Sequence, residues 1–214
     1  MPSLTSLRSI SIVTLLAVAG CNDPAKGKAK ATTQEASSSA LEVKPPAGAV
    51  RHEIDPSTSK IEWTGAKVTG KHEGGFRQFH GAVFLVDNAP EKSQVTVEIE
   101  TGSIYTDSDR LVKHLKTDDF FAADRFPKAT FTSTSVKGKG DGTSYDVTGN
   151  LTLRGVTKQI GFPATVKVGA SDVNVDAEFA INRKDFGLAY TGKQDDLIRD
   201  DVVIRLTIRS QKKS

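Results

Sequence analysis

The feature that most constrains the fold is a two-residue alternation of apolar and polar side chains, which recurs in eight segments between Ile61 and Ile208. Successive side chains of a β-strand point to opposite faces, so each segment predicts a strand with one apolar and one mainly polar face. Such alternation favours an antiparallel sheet with one side in water. The predicted strands centre on residues 61–63, 79–85, 95–99, 129–133, 145–153, 160–166, 173–181 and 202–208.

The segment 105–126, between the third and fourth predicted strands, breaks this alternation. Leu111 and Leu115 are four residues apart, a spacing that places both side chains on one face of a short helix. The sequence therefore predicts an all-β fold, an eight-stranded antiparallel sheet with a short helical insertion between strands three and four.

The predicted sheet can either fold over as a sandwich or close into a barrel. Gly65, Gly75, Gly81 and Gly149 fall within or beside predicted strands, where glycine permits a sharp bend or a bulge, and this favours the barrel. An eight-stranded barrel has room for packed side chains or for one small ligand. The alternation alone does not choose between a filled barrel and a hollow one.

Residues 1–20 are predicted to be a signal peptide. Arg8 provides a positive charge, and residues 10–19 form an apolar run that is too short for a bilayer, which needs about twenty residues. The sequence Val-Ala-Gly-Cys at 18–21 resembles the lipobox of bacterial lipoproteins. Cys21 is the one cysteine of the chain and has no disulfide partner. We therefore expect Cys21 to be the lipid-carrying first residue of an envelope protein; the alternative is an ordinary secretory signal that ends near Ala19.

Residues 21–48 are predicted to form the lipidated cysteine and a disordered tether, and residues 49–214 the folded domain. The tether is rich in Ala, Lys, Ser and Pro and has no aromatic residue, so it lacks the apolar surface that folding requires. The formal net charge of +3 is mild and scattered along the chain, which gives no reason to expect nucleic acid as a partner.

An ordered set of short motifs runs from about Ile54 to Ile208, and the most specific of them is GNLTLRGVTK at residues 149–158. The remaining motifs, in chain order, include Asp55 with Ser59, Ile61 and Trp63, then Gly75 with Phe76, Phe79 and Gly81, then Ser103, Ile104 and Thr106, then His114, Leu115, Asp119, Phe120 and Phe121, then Phe126, Pro127, Ala129, Thr130 and Phe131, then residues 182–187 and 201–204. This ordered set resembles the YceI-like family, whose members are lipocalin-like barrels of the bacterial periplasm or secreted proteins.

The resemblance implies an apolar tunnel that binds or carries a long-chain isoprenoid or a similar amphiphilic lipid. Each methylene that such a ligand buries contributes about 0.8 kcal/mol, so affinity needs an apolar lining and no catalytic motif. No cofactor is expected apart from a bound isoprenoid or another lipid. The lining candidates, for each of which ordinary core packing is the alternative, are Trp63, Phe76, Phe79, Val97, Leu115, Phe120, Phe121, Phe131, Leu151, Phe162, Phe179 and Phe186.

Polar residues that could carry other chemistry are few. Arg183 and Asp185 lie in a motif shared with the family, and this pair could either orient a lipid head group or lock the loop after the seventh predicted strand. The chain's histidines lack the spacing of a metal site, and its paired aspartates lack the spacing of a calcium loop. No metal site and no enzymatic activity are therefore expected.

Two functions of different classes remain open from the sequence. The first is an envelope lipoprotein whose hollow barrel sequesters or ferries a lipid, held to a bacterial membrane by its N-terminal acyl anchor and facing the periplasm or the exterior. The second is an interaction or structural lipoprotein with a filled barrel. The family resemblance also leaves a homodimer open.

Overall fold

A computed structural model of the protein describes residues 23–36 and 44–213, so the predicted signal peptide and Cys21 lie outside the described residues. The described residues form mainly β-structure, with one α-helix, α1 (Asp109–Leu115). The strands are β1 (Thr32–Glu35), β2 (Val50–Ile54), β3 (Lys60–Lys67), β4 (Gly70–Phe76), β5 (Phe79–Val86), β6 (Ala89–Glu100), β7 (Ile104–Thr106), β8 (Lys128–Gly138), β9 (Ser144–Leu153), β10 (Val156–Val168), β11 (Asp172–Asn182), β12 (Gly192–Lys193), β13 (Asp196–Leu197) and β14 (Asp201–Lys212).

Eight antiparallel rows of strand close into a barrel. β2 and β3 pair with successive parts of β14 and form one row. β4 and β5 form the next row, and β6 and β7 form the third. β8, β9, β10 and β11 follow, and β11 returns to β14 to complete the ring. The prediction of an eight-stranded antiparallel barrel with one short helix is confirmed, and each of the eight predicted strands is present.

The two ends of the barrel differ in what covers them. One end, called here the helix end, carries α1, the β3–β4 turn at residues 68–69 and the connection from 183 to 200. The opposite end, called here the loop end, carries the turns at residues 87–88, 139–143 and 169–171. At the loop end Asp87 and Asn88 both adopt positive φ angles, 52° and 55°, as the tight turn between two antiparallel strands requires.

The helix end is closed by α1 and the turns that follow it. The helix begins because the Ser108 hydroxyl accepts a hydrogen bond from the Leu111 backbone N–H at 3.4 Å. Leu115 is buried, so the helix faces the barrel with the side predicted from the sequence. Short turns rather than a second helix continue the segment to Pro127.

Residues 23–36 form a strap along the outside of the barrel, which corrects the sequence prediction. β10 pairs with β11 only over residues 165–168, near the loop end, and the two strands separate beyond that point. Where β10 and β11 are separated, a region called here the seam, β1 pairs with residues 158–161 of β10. On the other side of the seam Ala31 N–H donates to the Ala180 carbonyl, and Ala180 N–H donates to the Ala29 carbonyl, both at 2.8 Å. The prediction of a disordered tether does not hold for this segment, because the barrel supplies unpaired strand edges that hold it.

Candidate ligand cavity

The barrel is hollow. A cavity of about 440 Å³ runs along its axis, and side chains from all eight rows line it. Nearly all the lining side chains are apolar, and they are the inward members of the alternating segments. Of the predicted lining residues, these border the cavity: Trp63, Phe76, Val97, Leu115, Phe120, Phe121, Phe131, Leu151, Phe162 and Phe179. Their contact with a ligand stays a prediction.

Phe79 and Phe186, the other two predicted lining residues, do not border the cavity. Phe79 packs in a separate cluster with Ile54, Ile61 and Ile208. Phe186 follows β11 in a short 3₁₀ turn and has no exposed surface. Both are buried in the solid part of the core. For Phe79, alternation gave the direction of the side chain and not its distance from the barrel axis, whereas Phe186 lies beyond the strand, where alternation does not apply.

Several lining residues were missing from the prediction although they belong to the alternating segments. The predicted set favoured aromatic residues, whereas much of the wall is formed by branched aliphatic side chains. The alternation itself would have identified Val95, Ile99, Val147, Ile160, Val166, Val173, Val175, Ile181, Val202, Ile204, Leu206 and Ile208. Ile198 and Leu188 carried no such signal, since they lie in the irregular connection between β11 and β14.

Glycines in the wall let large rings lie flat against it and keep the lumen open. A Cβ atom on Gly149 would lie 2.5 Å from Cζ of Phe131, so Phe131 occupies the space above a residue without a side chain. Trp63 uses Gly74 in the same way, because a Cβ there would lie 2.6 Å from the Trp63 ring. Phe162 and Phe179 stack at a centroid distance of 4.2 Å on another part of the wall.

Aromatic side chains also form the boundary of the cavity at the helix end. Phe121 meets Phe76 edge to face, with ring centroids 5.8 Å apart. Phe120 packs against His114 with ring centroids 5.0 Å apart, and His114 Nε2 lies 2.8 Å from a carboxylate oxygen of Asp119. The turns after α1 therefore place two lining phenylalanines over this end of the lumen.

Arg183 borders the cavity, but its guanidinium is engaged by the surrounding backbone. It is 4% exposed and donates to the carbonyls of Leu188, of Arg199 at 3.0 Å and of Ile198 at 3.3 Å. Its ion-pair partner is Asp200, at 3.3 Å, rather than Asp185. Burial lowers the pKa of Arg183, and Asp200 opposes that shift. These contacts favour the structural alternative, in which Arg183 locks the connection between β11 and β14.

Two other polar side chains border the cavity at the helix end. Lys67 Nζ forms an ion pair with Asp196. His72 Nδ1 lies 2.8 Å from a carboxylate oxygen of Asp107, and hydrogen bonds from His72 and Thr106 lower the pKa of Asp107. Within residues 23–36 and 44–213, no group of three or more His, Cys, Asp or Glu side chains could hold a metal ion. Nor does this part of the chain contain a helix long and apolar enough to cross a membrane.

A closed antiparallel barrel with an apolar lumen and a small helical cap defines a lipocalin-like protein. The profile of the YceI-like domain matches residues 52–210, and the chain belongs to that family. Protein YceI of Salmonella arizonae is 39% identical over 121 residues, 54% of this chain and 62% of the relative, and Protein YceI of Salmonella newport gives the same values. The match thus spans less than two thirds of the length of these relatives.

Solved structures show the same fold. Burkholderia cenocepacia BcnA is 25% identical, with a TM-score of 0.66 over 73% of this chain and 98% of that protein. Campylobacter jejuni YCEI protein is 25% identical, with a TM-score of 0.56 over 66% and 85%. A polyisoprenoid binding domain from Saccharophagus degradans, implicated in plant cell wall breakdown, is 18% identical, with a TM-score of 0.64 over 77% and 99%.

Proposed function

We propose that this protein is an envelope lipoprotein whose barrel binds or carries a long-chain isoprenoid or a similar amphiphilic lipid. The observation that carries the proposal is the apolar cavity of about 440 Å³ along the barrel axis. Its volume lies within the range of about 300–1,000 Å³ that is typical of ligand pockets. A filled barrel, the basis of the alternative function, is not what the structure shows.

The lining chemistry supports an unbranched or prenyl chain as the ligand. The walls are aliphatic and aromatic, so each buried methylene of a ligand would contribute about 0.8 kcal/mol before the cost of ordering the chain. Arg183 and Lys67, the cationic residues of the lining, are held in ion pairs, which fits binding rather than catalysis. The structural relative from Saccharophagus degradans is described as polyisoprenoid binding, which supports this ligand class.

The envelope location rests on the sequence of residues 1–21. The predicted signal peptide would direct the chain across the inner membrane, and acylation of Cys21 would anchor it. Two or more acyl chains give stable anchoring, whereas a single chain is marginal. A lipid carrier fixed to a membrane would have its ligand source beside it.

Trp63 supplies a direct assay of the proposed binding. It is the one tryptophan of the chain and it lines the cavity, so its fluorescence reports what occupies the lumen. Titration of the delipidated protein with a long-chain polyprenol or quinone should change the emission in a saturable way. No saturable change with any long-chain isoprenoid or fatty lipid would overturn the proposal.

A matched pair of variants separates cavity binding from surface adsorption. Val95→Phe with Val175→Phe adds two rings to the lumen, since both residues line it. Exclusion of about two methylenes of ligand predicts an affinity loss of about tenfold. The control, Thr96→Phe with Asn174→Phe, alters an adjacent residue of each strand, whose side chain faces outward. Equal losses in both variants would show that the ligand does not bind in the lumen.

A further inference from the structure

We propose that the helix end of the barrel carries a membrane-contact surface, formed by Val68 and Leu197, and that the N-terminal strap holds the mature protein with this end against the bilayer. The proposal rests on the proposed lipid anchor at Cys21. It adds an orientation, and it names a lipid bilayer surface as the occupant of this patch.

The strap brings the anchor to the helix end. Asp23 Oδ2 accepts from Arg199 Nη1 at 3.2 Å, and Arg199 N–H donates to the Ala66 carbonyl at 2.8 Å, close to the β3–β4 turn. Cys21 precedes Asp23 by two residues, and two residues span at most about 7 Å. An acyl chain on Cys21 would therefore enter the bilayer next to the helix end.

The strap is attached along its length, so it does not act as a free tether. Ala25 is 5% exposed and packs on Ala180 and Val203, on the outer face of the barrel. Lys28 pairs with Glu178 and Lys30 pairs with Asp201, each at 2.5 Å. These contacts, together with the backbone pairing of β1, fix the orientation of the barrel relative to the point where the anchor begins.

The helix end presents an apolar pair beside this anchor point. Val68 is 52% exposed and Leu197 is 49% exposed, and Val68 N–H donates to the Leu197 carbonyl at 3.1 Å. The third exposed large apolar residue of the described chain, Val50, lies towards the loop end at the start of β2. Leu197 thus lies on the same connection as Arg199, which holds Asp23, and Val68 contacts that connection from the β3–β4 turn.

The charges around the apolar pair largely neutralise one another. Lys67 pairs with Asp196, and Lys71 pairs with Glu73 at 2.7 Å. Lys193 and Asp195, the other charged side chains of the β12–β13 turn, are opposite in sign. The surface therefore lacks the lysine and arginine cluster that recognises anionic lipids, and its contact depends on apolar insertion and the anchor.

The orientation brings the ligand cavity to the membrane. Ala66, Lys67 and Ile198 border the cavity and adjoin the apolar pair in the chain. The helix end of the lumen would then face the bilayer, which is where a long-chain amphiphilic ligand is dissolved. A barrel held with its loop end towards the membrane would turn these lining residues away from the bilayer.

The test measures which end of the acylated, full-length mature protein contacts a bilayer. Gln194→Cys places a fluorescent label at the helix end, and Ser171→Cys places the matched label at the loop end; both positions are exposed. Cys21 is the one native cysteine, and the proposed acyl chain would block it from labelling. The protein is reconstituted in phosphatidylcholine vesicles that contain lipids with a spin-label quencher. The 12 residues of β14 span about 40 Å when extended, so the two labels report different depths.

We expect strong quenching of the label at residue 194 and background quenching at residue 171. Val68→Ser with Leu197→Ser should reduce quenching at 194 at least about twofold, and a Gly/Ser replacement of residues 24–36 should equalise the two labels. Equal quenching at both positions of the unaltered protein, or stronger quenching at 171, would overturn the orientation while leaving the anchor and ligand binding intact. Protein mass without acyl chains would overturn the anchor and this proposal together, whereas the Trp63 titration tests ligand binding separately.

Discussion

Phe186→Ala and Phe131→Ala should reduce stability by different amounts if the barrel is hollow. Phe186 has no exposed surface and lies outside the cavity lining, so its removal leaves a new void in close-packed core. Such a Phe→Ala change costs about 3–5 kcal/mol of unfolding free energy. Phe131 borders the existing cavity, so its removal enlarges a space that is already present and costs about 1–2 kcal/mol for the lost apolar contact.

Urea unfolding of the two variants and the unaltered protein, all delipidated, measures the difference. The slope of free energy against urea should stay constant, since all three chains expose similar surface on unfolding. Phe131→Ala should also weaken lipid binding in the Trp63 titration, whereas Phe186→Ala should leave it unchanged wherever the protein is folded. Losses of stability that agree within about 0.5 kcal/mol would refute the account of a hollow barrel around Phe131.

Three further predictions concern the wall of the barrel. His52 is 2% exposed, and its pKa is lowered first by burial and then by the positive charge of Lys212. Near pH 6.5 the unfolded chain therefore binds a proton at His52 more readily than the folded chain does. The free energy of unfolding should fall as the pH drops below 6.5. Deletion of residues 23–36 should increase hydrogen exchange of the Ala180 amide at least about tenfold, since Ala29 is its acceptor. Arg183→Met should cost about 2–4 kcal/mol in urea unfolding, because it leaves buried carbonyls without a donor.

Each of these predictions has a matched control. His52→Gln should flatten the fall in stability below pH 6.5, whereas the same change at exposed His80 should not; equal slopes would contradict the role of burial. The Val173 amide, at the far end of β11, should keep its exchange rate when the strap is deleted, and faster exchange at both sites would indicate general loosening. Asp185→Asn should change the free energy of unfolding by less than about 0.5 kcal/mol. A loss as large as that of Arg183→Met would indicate that Arg183 pairs with Asp185 after all.

The alternation of apolar residues predicted the barrel well because one face of every strand is buried. Residues 145–153 and 173–181 illustrate this, since their inward members contact the lumen or the core throughout. β4 gave no such signal. Its glycines at 74 and 75 are required by the close approach of the Trp63 ring and of Tyr105, so the strand carries few of the apolar side chains from which alternation is recognised.

The strap could not be predicted from its own composition. Thr32–Glu35 is polar, and its pairing is determined by the separation of β10 and β11, which only the folded barrel produces. Ala25 and Ala29 carry little apolar surface, and their positions depend on backbone hydrogen bonds and on the outer face of β11. Composition therefore predicted a disordered segment, whereas hydrogen bonds and packing against the barrel hold it in place.

The sequence pattern also could not predict that the lumen is hollow. Phe131 and Phe186 are both predicted lining residues from family motifs, yet one borders the cavity and the other is completely buried away from it. The distinction depends on Gly149, which lets the Phe131 ring lie against the wall, and on the 3₁₀ turn that directs Phe186 into the core. Arg183 pairs with Asp200 and not with Asp185, and this too depends on how the connection between β11 and β14 folds back.

Native mass spectrometry of the full mature protein, purified from a bacterial envelope and followed by organic extraction, tests the central claim most directly. The account predicts a stoichiometric added mass that organic solvent releases as a prenyl or other long-chain lipid. Less of this mass should be retained by the variant with Val95→Phe and Val175→Phe, whose affinity is about tenfold lower, than by its outward-facing control. Folded protein that carries no lipid, and that takes none up from an extract of its host membrane, would contradict the claim that this barrel binds lipid.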